Sequence, residues 1–124
     1  MKIVLASKSG VRKEILDKYG VQSIVSPSNV DEDQVKEALL EKGADPEIIS
    51  KNLAELKSVK VSAKYPDQLV LGADSVISLD LKLINKPNSR DEAYQILKLL
   101  NGKKHYLISS VCISKNGAMI WELH

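Results

Sequence analysis

Apolar residues recur along this chain in two rhythms, and the switches between them mark out the elements. Ile3-Val4-Leu5-Ala6 reads as a short buried strand over 2–6, followed by the polar turn Ser7-Lys8-Ser9-Gly10. Val11, Ile15, Leu16 and Tyr19 share one side of a helix over 10–19, with Gly20 placed to cap its C-terminus. A second strand fits 21–26 and stops at Pro27. Asp31 and Gln34 resemble a capping box, and Val35, Leu39 and Leu40 give the helix they open an apolar face to about residue 42. Asp45-Pro46 is an N-cap followed by proline at the first helical position, predicting a helix to about residue 63 with Ile49, Leu53, Leu56 and Ala63 as its stripe.

The longest near-continuous apolar run, 68–79, predicts the central strand. Asp80 to Lys82 suit a turn, and Lys86-Pro87 closes the segment. Ser89-Arg90-Asp91-Glu92 is a second capping box, and Ala93, Ile96, Leu97 and Leu100 carry a helix over 90–100 to Asn101-Gly102. Residues 104–114 and 118–123 then form a hairpin across Lys115-Asn116-Gly117. Alternating helices and strands predict an α/β fold with a mixed, twisted sheet flanked by helices.

Composition narrows the picture. A chain of 124 residues suits one domain over 1–124, and its core must be aliphatic, because it holds no Phe and one Trp. With 18 basic and 16 acidic residues, the net charge of +2 creates no field favouring a nucleic-acid polymer or an anionic membrane. Cys112 is the only cysteine, which excludes an internal disulfide, and its apolar neighbours make it a small core residue. The N-terminus lacks the apolar core of a signal peptide, and no stretch approaches the ~20 apolar residues of a membrane span, so the expected location is the cytoplasm.

Two places concentrate chemistry. At Ser7 to Lys13 a helix N-terminus, whose unpaired N–H groups favour anions, is surrounded by two hydroxyls, Ser7 and Ser9, and by Lys8, Arg12 and Lys13. That suits phosphate, although no P-loop signature is present, and a plain N-cap with solvated cations would look the same. Asp74 is the only charged residue from 69 to 79. An ionised carboxylate in such a strand is costly unless paired or metal-bound, which places it at a cleft as a base or cation holder, or at a strand end capping a turn. Lys57 lies on the flank of its helix's stripe and could reach outward or into a cleft. Lys86 is held extended by Pro87, and Glu32 fits an acidic first helical turn. His105 reads as structural, since no Ser or Cys nucleophile motif accompanies it.

Taken in order, these residues resemble the Maf family of nucleoside triphosphate pyrophosphatases. Leu5-Ala6-Ser7-Lys8-Ser9 is similar to that family's Leu-Ala-Ser-x-Ser-Pro-Arg-Arg, and Leu53-Ala54-Glu55-Leu56-Lys57 to its Leu-Ala-x-x-Lys. Gly72-Ala73-Asp74-Ser75-Val76 resembles its Gly-Ala-Asp-Thr-Val, and Asp31-Glu32, Lys86-Pro87, Asn101-Gly102 with His105, and Ser109 to Val111 follow at family-like spacing. The resemblance implies a Maf/ITPase-like fold and hydrolysis of the α–β phosphoanhydride of a nucleotide to the monophosphate and pyrophosphate. It implies Asp74 as the residue that activates water or positions a metal, and Ser7, Ser9, Arg12, Lys57 and Lys86 as the triphosphate cradle. Glu32 and Asp74 would hold a divalent cation, for which hard oxygen ligands and phosphate favour Mg²⁺ or Mn²⁺.

Two departures stand out. Gly10-Val11-Arg12 replaces the family's Pro-Arg-Arg, and Val11 is neither the Arg of the enzymes favouring pyrimidine triphosphates nor the aromatic residue of those favouring 7-methyl-GTP, so the base stays open, tilted away from the Arg-bearing group. Family members also continue beyond the point that matches His124, so the chain is expected to be roughly the N-terminal two thirds of the usual length, lacking part of the C-terminal lobe. It would then be a fragment, a natural truncation or a decayed copy. The competing expectations are a non-catalytic nucleotide-binding or septum-associated protein, as the family's name suggests, and a fragment that dimerises over its open sheet edge.

Overall fold

The structure, a computed structural model, describes residues 2–8 and 10–123. Among the described residues ten elements follow in order: β1 (Ile3–Leu5), α1 (Gly10–Lys18), β2 (Ser23–Val25), α2 (Glu32–Glu41), α3 (Pro46–Ser62), β3 (Val70–Leu79), β4 (Lys82–Ile84), α4 (Arg90–Leu100), β5 (Tyr106–Lys115) and β6 (Ala118–Leu123). The strands form one sheet in the order β2-β1-β3-β5-β6, with β4 also paired to β3. β1 runs parallel to β2 and β3, whereas β3–β4, β3–β5 and β5–β6 are antiparallel. The sheet is therefore mixed, and the α/β expectation is borne out.

Local chemistry accounts for the boundaries. Asp31, Asp45 and Ser89 each accept a hydrogen bond from the backbone N–H three residues on, at 3.0–3.1 Å, satisfying donors that a helix start leaves open. Glu92 closes its box one residue further back than the sequence suggests, accepting from Asn88 N at 2.7 Å. Gly20, at φ 75°, closes α1 through Gly20 N to Asp17 O and Val21 N to Leu16 O, bonds an L side chain at that φ would strain. The β5–β6 turn places Asn116 and Gly117 at φ 54° and 82°, as a two-residue hairpin requires.

The turn expected over Asp80 to Lys82 is present, but it leads into a strand, β4, that the sequence reading does not contain. Its hairpin uses Asp80 and Leu81 at φ 51° and 64°, and Leu at positive φ carries no turn signature. The stripe expected on α3 is also corrected. Ile49 and Leu53 are fully buried, but Leu56 is 39% exposed and Ala63 is exposed too; the buried face instead runs through Ser50, Ala54, Lys57, Ser58 and Val61.

That face lies on the even-numbered side of β3 and β5. Ser50 Oγ donates to Ser110 Oγ at 2.9 Å, Ser58 and Ser114 share a hydrogen bond of 2.7 Å, and Ser62 Oγ accepts from Gly117 N at 2.9 Å. Buried hydroxyls in reciprocal pairs avoid the desolvation cost that would otherwise exclude them. Gly72 permits the approach, since a Cβ there would lie 2.4 Å from Ala54 O and 2.8 Å from Ser58 Cβ. Cys112 is buried beside Ser58, as expected of a small core residue.

The other helices bury little among the described residues. Val11, Ile15 and Tyr19, expected on the inward side of α1, are exposed, and α1 buries no residue. On α4 only Leu100 is buried, while Leu97 is 67% exposed. No described helix is long and apolar enough to cross a membrane.

Candidate active site

The parallel pair β1–β3 delivers two parts of one site to the same end of the sheet. β1 ends at Leu5, and the chain continues through the buried Ala6 and Ser7 toward α1. Beside it opens a cleft of about 580 Å³, lined by Ser7, Lys8 and Arg12 from this turn, by 28–33 around the start of α2, and by Ala6, Lys57 and Lys86. Arg12 Nη1 donates to Ser7 Oγ at 3.1 Å, so hydroxyl and guanidinium act as one unit. Ser9 lies outside the described residues. Lys13, grouped with the phosphate-binding cations on sequence grounds, is directed elsewhere. Its ammonium bonds Asp17 at 2.8 Å and the hydroxyl and carbonyl of Ser23 at 3.0 and 3.2 Å, tying α1 to β2.

The floor of the cleft is an ionic cluster. Lys57 Nζ contacts Glu32 Oε1 and lies 3.3 Å from Asp74 Oδ1 and 3.5 Å from the carbonyl of Ala73. Asp74 is 2% exposed and Lys57 7%, whereas the Glu32 side chain keeps 29% exposure at the cleft wall. Asp74 does not itself line the cleft; it sits behind Lys57, on the central strand β3. Its second oxygen, Oδ2, is buried without a hydrogen-bond partner among the described residues.

Burial pushes the Asp74 carboxyl above the ordinary carboxylate range; Lys57 opposes that shift without cancelling it, and the charge of Glu32 adds to it. Glu32 goes the other way. Burial again favours the neutral acid, but the hydrogen bond and charge of Lys57, with Lys86 and Lys36, outweigh it and hold the carboxyl below its usual value. The two carboxylates share one lysine, and the deeper of them keeps the higher affinity for a proton.

Four cations, Lys8, Arg12, Lys57 and Lys86, and three acids, Asp31, Glu32 and Asp33, line the cleft. Such a lining carries little net positive charge, so a polyanion held there would need further positive partners. Glu32 and Asp74 suit a hard divalent cation. Both offer carboxylate oxygens, one of them unsatisfied, and Mg²⁺ is commonly held by one or two carboxylates together with substrate phosphate. Among the described residues no group of three or more His, Cys, Asp or Glu could hold a metal, so the remaining ligands would come from substrate and water.

The structure thus brings Ser7, Arg12, Glu32, Lys57 and Lys86 to one cleft with Asp74 directly behind. Ser28, Asn29 and Lys36 are not among the sequence candidates. Ser28 and Asn29 line the cleft, Asn29 at φ 55°. Lys36 is the one buried residue of α2, and it borders a smaller hollow of about 180 Å³ that shares Lys86. A lysine at an inward helical position was a findable sign. His105 is exposed, its ring nitrogen 3.2 Å from the carbonyl of Lys103, away from the cleft.

Comparison with known proteins assigns the chain. A family described as "Maf-like protein" matches residues 2–123. A nucleoside triphosphate pyrophosphatase of Pelagibacter ubique is 63% identical over 120 residues, covering 97% of this chain and 62% of that protein. One from a Ruegeria species is 41% identical, covering 97% and 60%, and a 7-methyl-GTP pyrophosphatase of Brucella abortus is 36% identical, covering 98% and 61%. The chain spans about three fifths of the length of these curated relatives. Among solved structures, the Staphylococcus aureus Ham1 protein overlays with a TM-score of 0.48 at 16% identity over 93% of this chain and 64% of its own, too loose a likeness to carry an assignment. With the match running nearly end to end and the motif residues gathered at one cleft, the chain belongs to the Maf family.

Proposed function

We propose that this chain carries the catalytic and phosphate-binding part of a nucleoside triphosphate pyrophosphatase, which hydrolyses the α–β phosphoanhydride of a nucleotide. The observation that carries the reading is Asp74: a carboxylate 2% exposed, with one oxygen unpartnered, held through Lys57 against a cleft lined by Ser7, Arg12 and Lys86. Buried charges with perturbed pKa values cluster at functional sites, and a carboxyl with a raised pKa just behind a cleft is suited to accept a proton. Relatives named for nucleoside triphosphates and for 7-methyl-GTP both match over nearly the whole chain. The triphosphate, common to both, is therefore the substrate feature to which the reading commits.

In this reading Ser7 and Arg12, hydrogen-bonded to each other, grip the phosphates at the turn into α1, Ser9 belongs to the same grip, and Lys86 closes on them from the β4–α4 loop. Asp74 orients a water toward the α-phosphorus and takes its proton. The new P–O bond forms as the bond from the α-phosphorus to the bridging oxygen breaks, and pyrophosphate leaves with that oxygen. Glu32 and Asp74 would hold Mg²⁺ or Mn²⁺, which when bound neutralises charge on the phosphate oxygens. Cytoplasmic location, indifference to nucleic-acid polymers and membranes, and assembly as a homodimer belong to the same proposal.

Incubation with a panel of nucleoside triphosphates and Mg²⁺ or Mn²⁺ should release pyrophosphate. Asp74→Asn should lower the rate by roughly 10²–10⁴-fold while keeping nucleotide affinity. Nucleotide-dependent thermal stabilisation with no turnover in the parent would instead mark a binding protein.

A further inference from the structure

We propose that Lys57 is an internal counter-ion which holds the Glu32–Asp74 pair closed to a divalent cation until the phosphates of a nucleotide draw its ammonium away. The inference rests on reading the cleft as a nucleotide site, and concerns the state before substrate arrives.

Three observations carry it. The ammonium of Lys57 contacts Glu32 and lies 3.3 Å from Asp74, between the two carboxylates that would otherwise hold a cation. Both Lys57 and Asp74 are buried, at 7% and 2% exposure, so two unneutralised carboxylates there would repel each other in a medium that screens poorly. Lys57 also lines the cleft, while Asp74 lies behind it, so the lysine stands on the route between cleft and carboxylate. A divalent ion entering this site must displace a positive charge that is already paired with both acids.

A nucleotide changes the balance. Its phosphate oxygens offer Lys57 a partner of higher charge on the side it already faces, and the flexible four-carbon stem lets the ammonium swing without moving the helix. Its departure frees Asp74 Oδ1 to join the already unpartnered Oδ2, and frees Glu32. Cation and nucleotide must then bind cooperatively, and the coupling is reciprocal. The arrangement also prevents a charge-neutral but idle metal site from forming without substrate.

The test is Mn²⁺ binding, read by electron paramagnetic resonance of the free ion, to the parent and to Lys57→Met in the absence of any nucleotide. Removal of the ammonium should tighten Mn²⁺ binding at least tenfold. Equal or weaker binding by folded Lys57→Met overturns the proposal. If the variant is folded only with metal, the rise of its melting temperature with Mn²⁺ must exceed the parent's, and an equal rise overturns it. Where methionine is not tolerated, Lys57→Gln is held to the same criterion. A separate arm adds a non-hydrolysable α,β-methylene triphosphate to the parent, which should raise Mn²⁺ affinity at least tenfold. Failure of the analogue to bind sinks the nucleotide reading, whereas the result with Lys57→Met, obtained without nucleotide, still decides the role of Lys57.

Discussion

Asp74 and Glu32 are both acids beside one lysine, yet the fold treats them in opposite ways. The folded state raises the Asp74 pKa, chiefly through burial, so it binds that proton more tightly than the unfolded chain does. The resulting contribution to stability is complete below the unfolded pKa and is lost as pH rises through the folded value. At neutral pH ionised Asp74 therefore costs stability. Asp74→Asn should melt a few degrees above the parent at pH 7 while losing turnover, and calorimetry across pH should show the gap closing toward acid. For Glu32 the lysines outweigh burial and lower the pKa, so its contribution is present above the ordinary value of 4.5 and lost as pH falls. Denaturation of Glu32→Gln should show a deficit at neutral pH that shrinks below about pH 4.5. The importance of Asp74 was legible from its isolation in an apolar run. The role of Lys57 was not, because a lysine beside a stripe can point either way until its partners are in place.

At the scale of elements, α3 carries the most instructive difference between sequence and structure. Hydrophobic periodicity pointed to Leu56 and Ala63, whereas the buried face is built from Ser50, Ala54, Lys57, Ser58 and Ser62 along with Ile49, Leu53 and Val61. Small polar residues let the helix approach β3 and β5 closely, and their hydroxyls bond across the interface, so hydropathy alone could not find the face. The same close contact sets Lys57 against Asp74, two residues beyond Gly72 on β3. Gly72→Ala should therefore cost about 1–3 kcal/mol in urea denaturation through overpacking, and should lower turnover in the fraction that remains folded. Asp45→Ala, removing the N-cap of α3 far from the cleft, should cost ~1 kcal/mol and leave kcat unchanged. Capping boxes and the Asn-Gly turn were readable because each rests on chemistry within a few residues. The turn at Asp80-Leu81 was readable as a turn, but the strand β4 that it returns along β3 was not, since Leu81 gives no sign of its positive φ.

At the scale of the molecule, a parallel strand pair and an antiparallel meander share one sheet, with β3 common to both. That topology puts the Ser7-bearing turn after β1 and the buried carboxylate of β3 side by side, although 67 positions separate Ser7 from Asp74 in the chain. Sequence order could list both features, but their proximity follows only from pairing β1 with β3. The amphipathic patterns of α1 and α4 were read correctly as helices, yet Ile15 and Leu97 remain 50% and 67% exposed among the described residues. Amphipathicity reports what a helix can bury and not what covers it. The most direct test of the central claim is hydrolysis of a nucleoside triphosphate in water enriched in oxygen-18, followed by mass spectrometry of both products. Attack at the α-phosphorus by a water oriented by Asp74 predicts label in the nucleoside monophosphate and none in pyrophosphate. Label in the pyrophosphate, or no turnover of any triphosphate by the parent chain, would contradict it.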